Sequence, residues 1–160
     1  MNLCMIGTGY VGLVSGTCFA DLGNRVFCID KDKTKIEKLN SGISPIYEPG
    51  LNELIKKNQS AKRLIFTCDL KKAILKSDLI FICVGTPSKK RLNDVDLSFV
   101  FKAVREIAKS TKNKKIVITK STVPVGTGDI IEKMFKKLKR KNFEIISNPE
   151  FLREGEAIRD

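Results

Sequence analysis

Residues 1–16 read MNLCMIGTGYVGLVSG. Apolar residues from Leu3 to Ile6 run straight into glycines at positions 7, 9 and 12. A short apolar run closed by glycine reads as a buried strand. The segment from Val11 to Leu22 is long enough for about three turns of helix. RVFCID, Arg25 to Asp30, then reads as a second strand that ends on an acid eighteen residues past Gly12.

Each piece of this arrangement has a physical task. Gly7 allows a tight turn, Gly9 leaves the backbone uncovered, and Gly12 lets the helix close onto the strand. A helix N-terminus offers free N–H groups and partial positive charge to an anion. An acid at the end of the second strand accepts hydrogen bonds from a pair of vicinal hydroxyls. Strand, glycine turn, helix, strand and acid in this order form a dinucleotide site, with pyrophosphate on the helix and adenosine ribose on the acid. The charge of Asp30 repels a 2′-phosphate, so NAD is expected over NADP.

Working outward, the alternation continues. DKTKIEKLNSG is a helix with Asp32 as its cap and Gly42 past its end. ISPIYEPGLNELIKKN carries Pro45 and Pro49, so it starts as a loop and turns helical from Glu48 or Pro49 to Lys57. LIFTCD is a third strand, LKKAILK a short helix, and Asp78–Gly85 a fourth strand, apolar on both faces. Residues 86–96, TPSKKRLNDVD, read as a loop. Leu97, Val100, Phe101, Val104, Ile107 and Ala108 form one helical stripe. Lys115–Thr119 is a fifth strand, Val125 to about Lys139 a basic helix, and FEIIS a sixth strand. Strands alternating with helices specify a doubly wound, Rossmann-type α/β domain: a parallel sheet of about six strands with helices on both faces.

Bulk composition narrows the function. With 160 residues and 42% hydrophobic content, the chain fits one globular domain. No apolar stretch approaches the ~20 residues of a membrane span, and no basic region precedes the first apolar segment, so the expected compartment is the cytoplasm. The five cysteines lack CxxC spacing and the chain has no histidine, which argues against a metal site. Each cysteine reads as core filler in a reducing compartment. The net charge is +12, and its densest run, KMFKKLKRK, interleaves with Ile130, Ile131, Met134, Phe135 and Leu138. That is a helix with one apolar stripe and one solvated basic face, so neither nucleic acid nor membrane is an expected partner.

In an open parallel sheet, ligands bind at the carboxyl ends of the strands. Those ends here carry GTGYVG, DKDK, VGTPS, KSTVPVGT and NPEFLREG. Singly each is a turn; together they line one edge. Five motifs in order, GTGYVG (7–12), SPIYEPGL (44–51), VGTP (84–87), KSTVPVGT (120–127) and NPEFLREG (148–155), resemble the UDP-glucose/GDP-mannose dehydrogenase family over the whole chain. The resemblance implies an enzyme that oxidises the 6-hydroxymethyl of a nucleotide-linked sugar twice, to the carboxylate, with two NAD+. SPIYEPGL with EFLREGEAIRD points to UDP-glucose; GDP-mannose or another nucleotide-sugar is the alternative, and an NAD-binding module without catalysis is a second.

The resemblance also implies residue roles. Gly7, Thr8, Gly9, Tyr10, Val11 and Gly12 would meet the pyrophosphate, and Asp30 the ribose with Lys35 beside it. Val84, Gly85, Thr86 and Pro87 would turn the chain beside the cofactor, with Ser121 and Thr122 on the nicotinamide side. Glu150, Phe151, Leu152, Arg153 and Glu154 would meet the nucleotide-sugar, and Glu154 also the cofactor. Thr122 and Glu150 would act in catalysis by positioning water and moving protons. The family's catalytic cysteine belongs to a later motif, GGxCxPKD in form, which these residues do not contain. The expectation is therefore that residues 1–160 are the NAD-binding domain of a longer, homo-oligomeric enzyme, lacking the dimerisation helix and substrate domain, inactive by themselves and compatible with a monomer.

The role of Asp30 is directly testable. Calorimetry on the chain should show tighter binding of NAD+ than of NADP+, and Asp30→Asn should narrow the difference. Equal affinity of the parent for both would remove Asp30 from that role.

Overall fold

The computed structural model describes residues 1–89, 94–140 and 142–160. Strand β1 (Asn2–Ile6) leads through the glycine turn into α1 (Tyr10–Asp21) and β2 (Arg25–Ile29). Helices α2 (Lys33–Asn40) and α3 (Leu51–Ser60) precede β3 (Leu64–Thr67), and α4 (Leu70–Lys76) precedes β4 (Leu79–Ile82). A short pair, β5 (Ser88–Lys89) and β6 (Asp94–Val95), comes before α5 (Ser98–Ser110), β7 (Lys115–Thr119), α6 (Thr127–Lys137) and β8 (Phe143–Ser147). Six strands form one parallel sheet in the order β3-β2-β1-β4-β7-β8.

Alternation along each strand splits the core into two layers. Leu3 and Met5 of β1 pack with Leu13, Val14, Leu39, Leu51 and Ile55 from α1, α2 and α3. Cys4 and Ile6 pack on the other side with Ile74, Val104, Ile107, Ile131 and Phe135 from α4, α5 and α6. Full burial of one such aliphatic side chain contributes roughly 1.5–3 kcal/mol, so the layers carry the fold. Phe135 of the basic helix stacks on Phe143 of β8 with ring centroids 4.4 Å apart, which confirms its place on the apolar stripe. Asp32 caps α2 as expected, accepting from the Lys35 amide at 3.1 Å.

Several boundaries differ from the sequence reading. The fourth strand ends at Ile82 rather than Gly85, because the Lys120 and Ser121 amides both turn onto the Ile82 carbonyl (2.9 and 3.1 Å) and close the ladder. Helices α3 and α6 start later than expected. Gly50 and Gly126, at φ 81° and 85°, swing the chain through the left-handed region just before each helix. The expected loop at 86–96 contains the antiparallel β5–β6 pair, supported by a 2.9 Å bond from the Asp96 amide to the Pro87 carbonyl. Its middle, residues 90–93, lies outside the described residues. The cysteines divide: Cys4, Cys28 and Cys83 are core filler, Cys18 is half-buried, and Cys68 is exposed. Cys68 escapes the core because β3 stops at Thr67 and Asp69 already caps α4.

From β1 the chain winds outward to β2 and β3, then returns to build the other half from β4. The crevice between β1 and β4 is thus a topological switch point, where open α/β sheets bind ligands. Two glycines bring α1 close enough to face that crevice. Gly7 has φ 104°, and a Cβ there would lie 2.6 Å from the Cys83 carbonyl oxygen. A Cβ on Gly12 would lie 2.0 Å from the Gly7 carbonyl oxygen and 3.0 Å from Cys83 Cβ. Gly12→Ala should therefore destabilise the fold by about 1–3 kcal/mol, read as a lowered denaturant midpoint. An unchanged midpoint would mean that the helix does not press on the turn.

Candidate active site

The strand ends open onto two adjoining cavities, of about 490 and 210 Å³. Gly9, Cys83, Val84 and Gly85 border both. The larger also takes in Gly7, Asp30 and Lys35, with Leu70, Phe99, Lys102 and Ala103 as its far wall. The smaller is lined by Tyr10, Val11, Thr86, Lys120, Ser121, Thr122 and Glu150.

Gly9 separates a folding requirement from a binding one. Its φ of −70° suits any residue, and a Cβ built there meets nothing within 4 Å. Gly85 also has open space where a Cβ would go. The packing that demands glycine at 7 and 12 thus makes no demand at 9, yet position 9 borders both cavities beside the N-terminus of α1. No side chain caps that helix, so its N-terminal end keeps its dipole for an anion. The site fits a dinucleotide: open backbone for a pyrophosphate at the helix, and an acid beyond it.

That acid is prepared for the task. Asp30 Oδ2 accepts from the Thr8 hydroxyl at 2.7 Å, the Thr8 amide at 3.2 Å and Lys35 Nζ at 3.0 Å. Asp30 Oδ1 takes the Asp32 amide at 3.2 Å. Burial raises the Asp30 pKa, but the bonds from Thr8 and Lys35 outweigh it and hold it at about 2. The carboxylate therefore stays ionised at neutral pH, and its stabilising contribution fades only as pH falls below the ordinary aspartate range toward 2. Thr8 serves as a buried brace beneath Asp30, and Gly12 as a spacer beneath the turn.

On the other side, Thr86 Oγ1 donates to the Thr122 carbonyl at 3.0 Å and ties the loops after β4 and β7 together. The Ser121 hydroxyl is turned inward, 2.7 Å from the Val84 carbonyl, so Ser121 shapes the cavity more than it offers a free donor. Glu150 is half-buried and accepts from the Leu152 amide at 2.8 Å, steadying its carboxylate at the cavity rim.

Residues 1–160 match the profile of the UDP-glucose/GDP-mannose dehydrogenase family, NAD binding domain. The chain belongs to that family. It is 53% identical over 161 residues to UDP-glucose 6-dehydrogenase of Rhizobium meliloti, covering 100% of this chain and 37% of that protein. It is 51% identical to UDP-glucose 6-dehydrogenase TuaD of Bacillus subtilis, covering 99% of this chain and 35% of that one. A ternary complex of GDP-mannose dehydrogenase from Pseudomonas aeruginosa superposes with TM-score 0.95 at 40% identity, over 100% of this chain and 38% of that one. A UDP-glucose dehydrogenase from Pyrobaculum islandicum gives TM-score 0.92 at 37% identity, over 99% and 38%. The chain thus spans little more than a third of the length of these relatives. Membership of this family makes NAD the cofactor of the domain. Among the described residues, no helix is long and apolar enough to cross a membrane.

Not every sequence-derived site residue reaches a cavity. Phe151 is 88% exposed, and Pro87, Leu152, Arg153 and Glu154 border neither cavity. Arg153 is engaged by Asp160, with Nη2 2.6 Å from Oδ1 and Nε 3.1 Å from Oδ2. Leu152 and Ile158 pack against the core layer that α1, α2 and α3 share, and the Gly155 and Ile158 amides bond Glu48 in the turn before α3, which draws the segment after Glu150 toward that turn. Conversely, sequence reasoning missed Lys120, Glu48 and the Leu70–Phe99–Lys102 wall. Lys120 and Glu48 sit inside quoted motifs, as charged residues among apolar and proline neighbours, and that was the available signal. Gly9→Val should abolish NAD+ binding in calorimetry while leaving the thermal midpoint nearly unchanged. Retained affinity would reduce the motif to a turn.

Proposed function

We propose that this chain is the cofactor-binding part of an NAD-dependent dehydrogenase that oxidises UDP-glucose to UDP-glucuronate. The observation that carries the cofactor half is Gly9, a glycine the fold does not require, at the mouth of an uncapped helix. The substrate half is supported by 53% and 51% identity to two UDP-glucose 6-dehydrogenases. GDP-mannose is the second reading, favoured by the superposition of GDP-mannose dehydrogenase at TM-score 0.95.

In this reading the α1 N-terminus holds the pyrophosphate and Asp30 the adenosine ribose. Bound NAD+ supplies the hydride acceptor. Thr86 and Thr122, already joined to one another, hold the nicotinamide side. Glu150 stands at the rim of the smaller cavity, where its carboxylate takes the proton of the sugar hydroxyl; such general base help contributes about 10²–10⁴-fold. Phe151, Leu152, Arg153 and Glu154 complete the nucleotide-sugar side only with protein beyond this domain, which agrees with their standing clear of both cavities.

The second oxidation needs a nucleophile, and the thiols here are poorly suited. Burial pushes the Cys83 thiol up to about 12, and burial also raises Cys4, Cys18 and Cys28. A thiolate, not a thiol, attacks a carbonyl carbon. Cys68 is exposed but borders the larger cavity, at the Asp30 side, away from Thr122 and Glu150. The domain is read as cytoplasmic and as part of a longer homo-oligomer.

With NAD+ and UDP-glucose, the purified chain should produce no sustained NADH absorbance. The complete polypeptide should, and with a higher kcat/KM for UDP-glucose than for GDP-mannose. Sustained turnover by the chain alone, surviving serine replacement of all five cysteines, would show that the domain carries its own nucleophile. A preference for GDP-mannose would overturn the substrate assignment.

A further inference from the structure

Glu48 is a carboxylate in the turn before α3, and it is only 6% exposed. Among the described residues, no lysine or arginine pairs with it. Its charge is instead met by donors from two distant parts of the chain. The Tyr10 hydroxyl, in the first turn of α1, donates to Oε2 at 2.5 Å. From the other end of the sequence, the Gly155 amide donates to the same oxygen at 2.8 Å and the Ile158 amide to Oε1 at 3.4 Å. Gly155 has φ 89°, a conformation that glycine adopts without strain. These bonds, that of Tyr10 first, hold the carboxyl below the usual glutamate range, so it remains an acceptor at neutral pH.

The two ends of this clasp lie at different parts of the site. Tyr10 follows Gly9 directly and lines the smaller cavity. Gly155 and Ile158 belong to the segment that begins at Glu150, whose carboxylate lines the same cavity. The same Tyr10 hydroxyl lies 3.3 Å from the Arg153 carbonyl and 3.2 Å from the Gly155 nitrogen. One ionised oxygen, Glu48 Oε2, therefore joins the turn that holds the cofactor to the segment that leads from Glu150.

We propose that Glu48 is a positioning residue that couples dinucleotide binding at the α1 N-terminus to the order of residues 150–158. Cofactor on the glycine turn fixes the first turn of α1 and with it Tyr10. Tyr10 then holds Glu48, and Glu48 holds the Gly155 and Ile158 amides. Linkage makes the effect reciprocal: a segment ordered through Glu48 raises dinucleotide affinity by the same factor. The inference rests on the cofactor reading given above and adds to it a route from one half of the site to the other.

Amide hydrogen exchange on the chain, with and without saturating NAD+, tests it. Calorimetry on the same samples establishes occupancy. In the parent, NAD+ should slow exchange at Gly155 and Ile158 by about five-fold or more. Glu48→Gln should leave both amides fast and unresponsive and weaken NAD+ binding by a similar factor. Tyr10→Phe should leave the Ile158 amide near the parent's cofactor-free rate, because Glu48 remains, but remove the response to NAD+ at both amides. Protection at Met5 and Val104, buried in the two core layers, reports that each variant is folded. Should Glu48→Gln fail to fold, Tyr10→Phe decides alone. NAD+ bound with no change at Gly155 and Ile158 overturns the coupling and leaves the cofactor reading intact. A parent-like response in folded Glu48→Gln or in Tyr10→Phe does the same. A folded parent that binds no NAD+ removes both.

Discussion

The contact between α1 and the turn below it is the constraint on which the rest of the structure depends. There is no room for a side chain between Gly12 and the Gly7 carbonyl, nor between Gly7 and the Cys83 carbonyl. Backbone therefore meets backbone at the place where β1, β4 and the first helix converge. The closeness directs the helix end at the crevice instead of at solvent. The same contact sets where β2 delivers Asp30, because the Gly7 amide bonds the Ile29 carbonyl at 2.8 Å. A larger residue at either glycine would displace the helix, and the dipole, brace and acid would lose their common focus.

Around that focus the electrostatics are arranged in opposition. The chain carries net charge +12, with 30 lysines and arginines against 18 aspartates and glutamates. Acids stand among the cations at the cavities, Asp30 and Glu106 at the larger and Glu150 at the smaller, and Asp30 is kept ionised by Thr8 and by a lysine that it partly neutralises. Lys35 and Lys31 frame the larger cavity, and Lys31 Nζ sits 5.3 Å from the centre of the Phe99 ring. Diffuse positive charge favours any phosphate, whereas an ionised carboxylate beside the site disfavours a second phosphate placed against it. On the proposed reading, selectivity would rest on one half-buried acid, Asp30.

How much was legible in the sequence follows from how far each interaction reaches along the chain. The glycine turn and the acid could be read because their spacing is local and their chemistry leaves few alternatives. Asp32 was readable as a cap because its partner, the Lys35 amide, is three residues away. Boundaries failed where a glycine took a left-handed turn, as at Gly50 and Gly126, since sequence does not tell which glycine uses that freedom. Glu48 was invisible as a functional residue because its partners lie 38 and 107 positions away. Phe99 and Lys102 appeared only as part of an amphipathic helix; that the start of α5 forms a cavity wall depends on sheet order, which no single segment encodes.

Cys68 gives the domain a property unrelated to its chemistry. The thiol is exposed and borders the larger cavity near Ile29 and Leu70, while the remaining cysteines are buried or half-buried with their thiols pushed up. A small alkylating reagent thus meets one exposed cysteine, in the lining of the larger cavity. A ligand that fills this cavity would lie against Cys68, because the residue is part of its lining. The rate of alkylation at Cys68 then counts the fraction of molecules whose cavity is open, an occupancy gauge built into the polypeptide that needs neither turnover nor an added label.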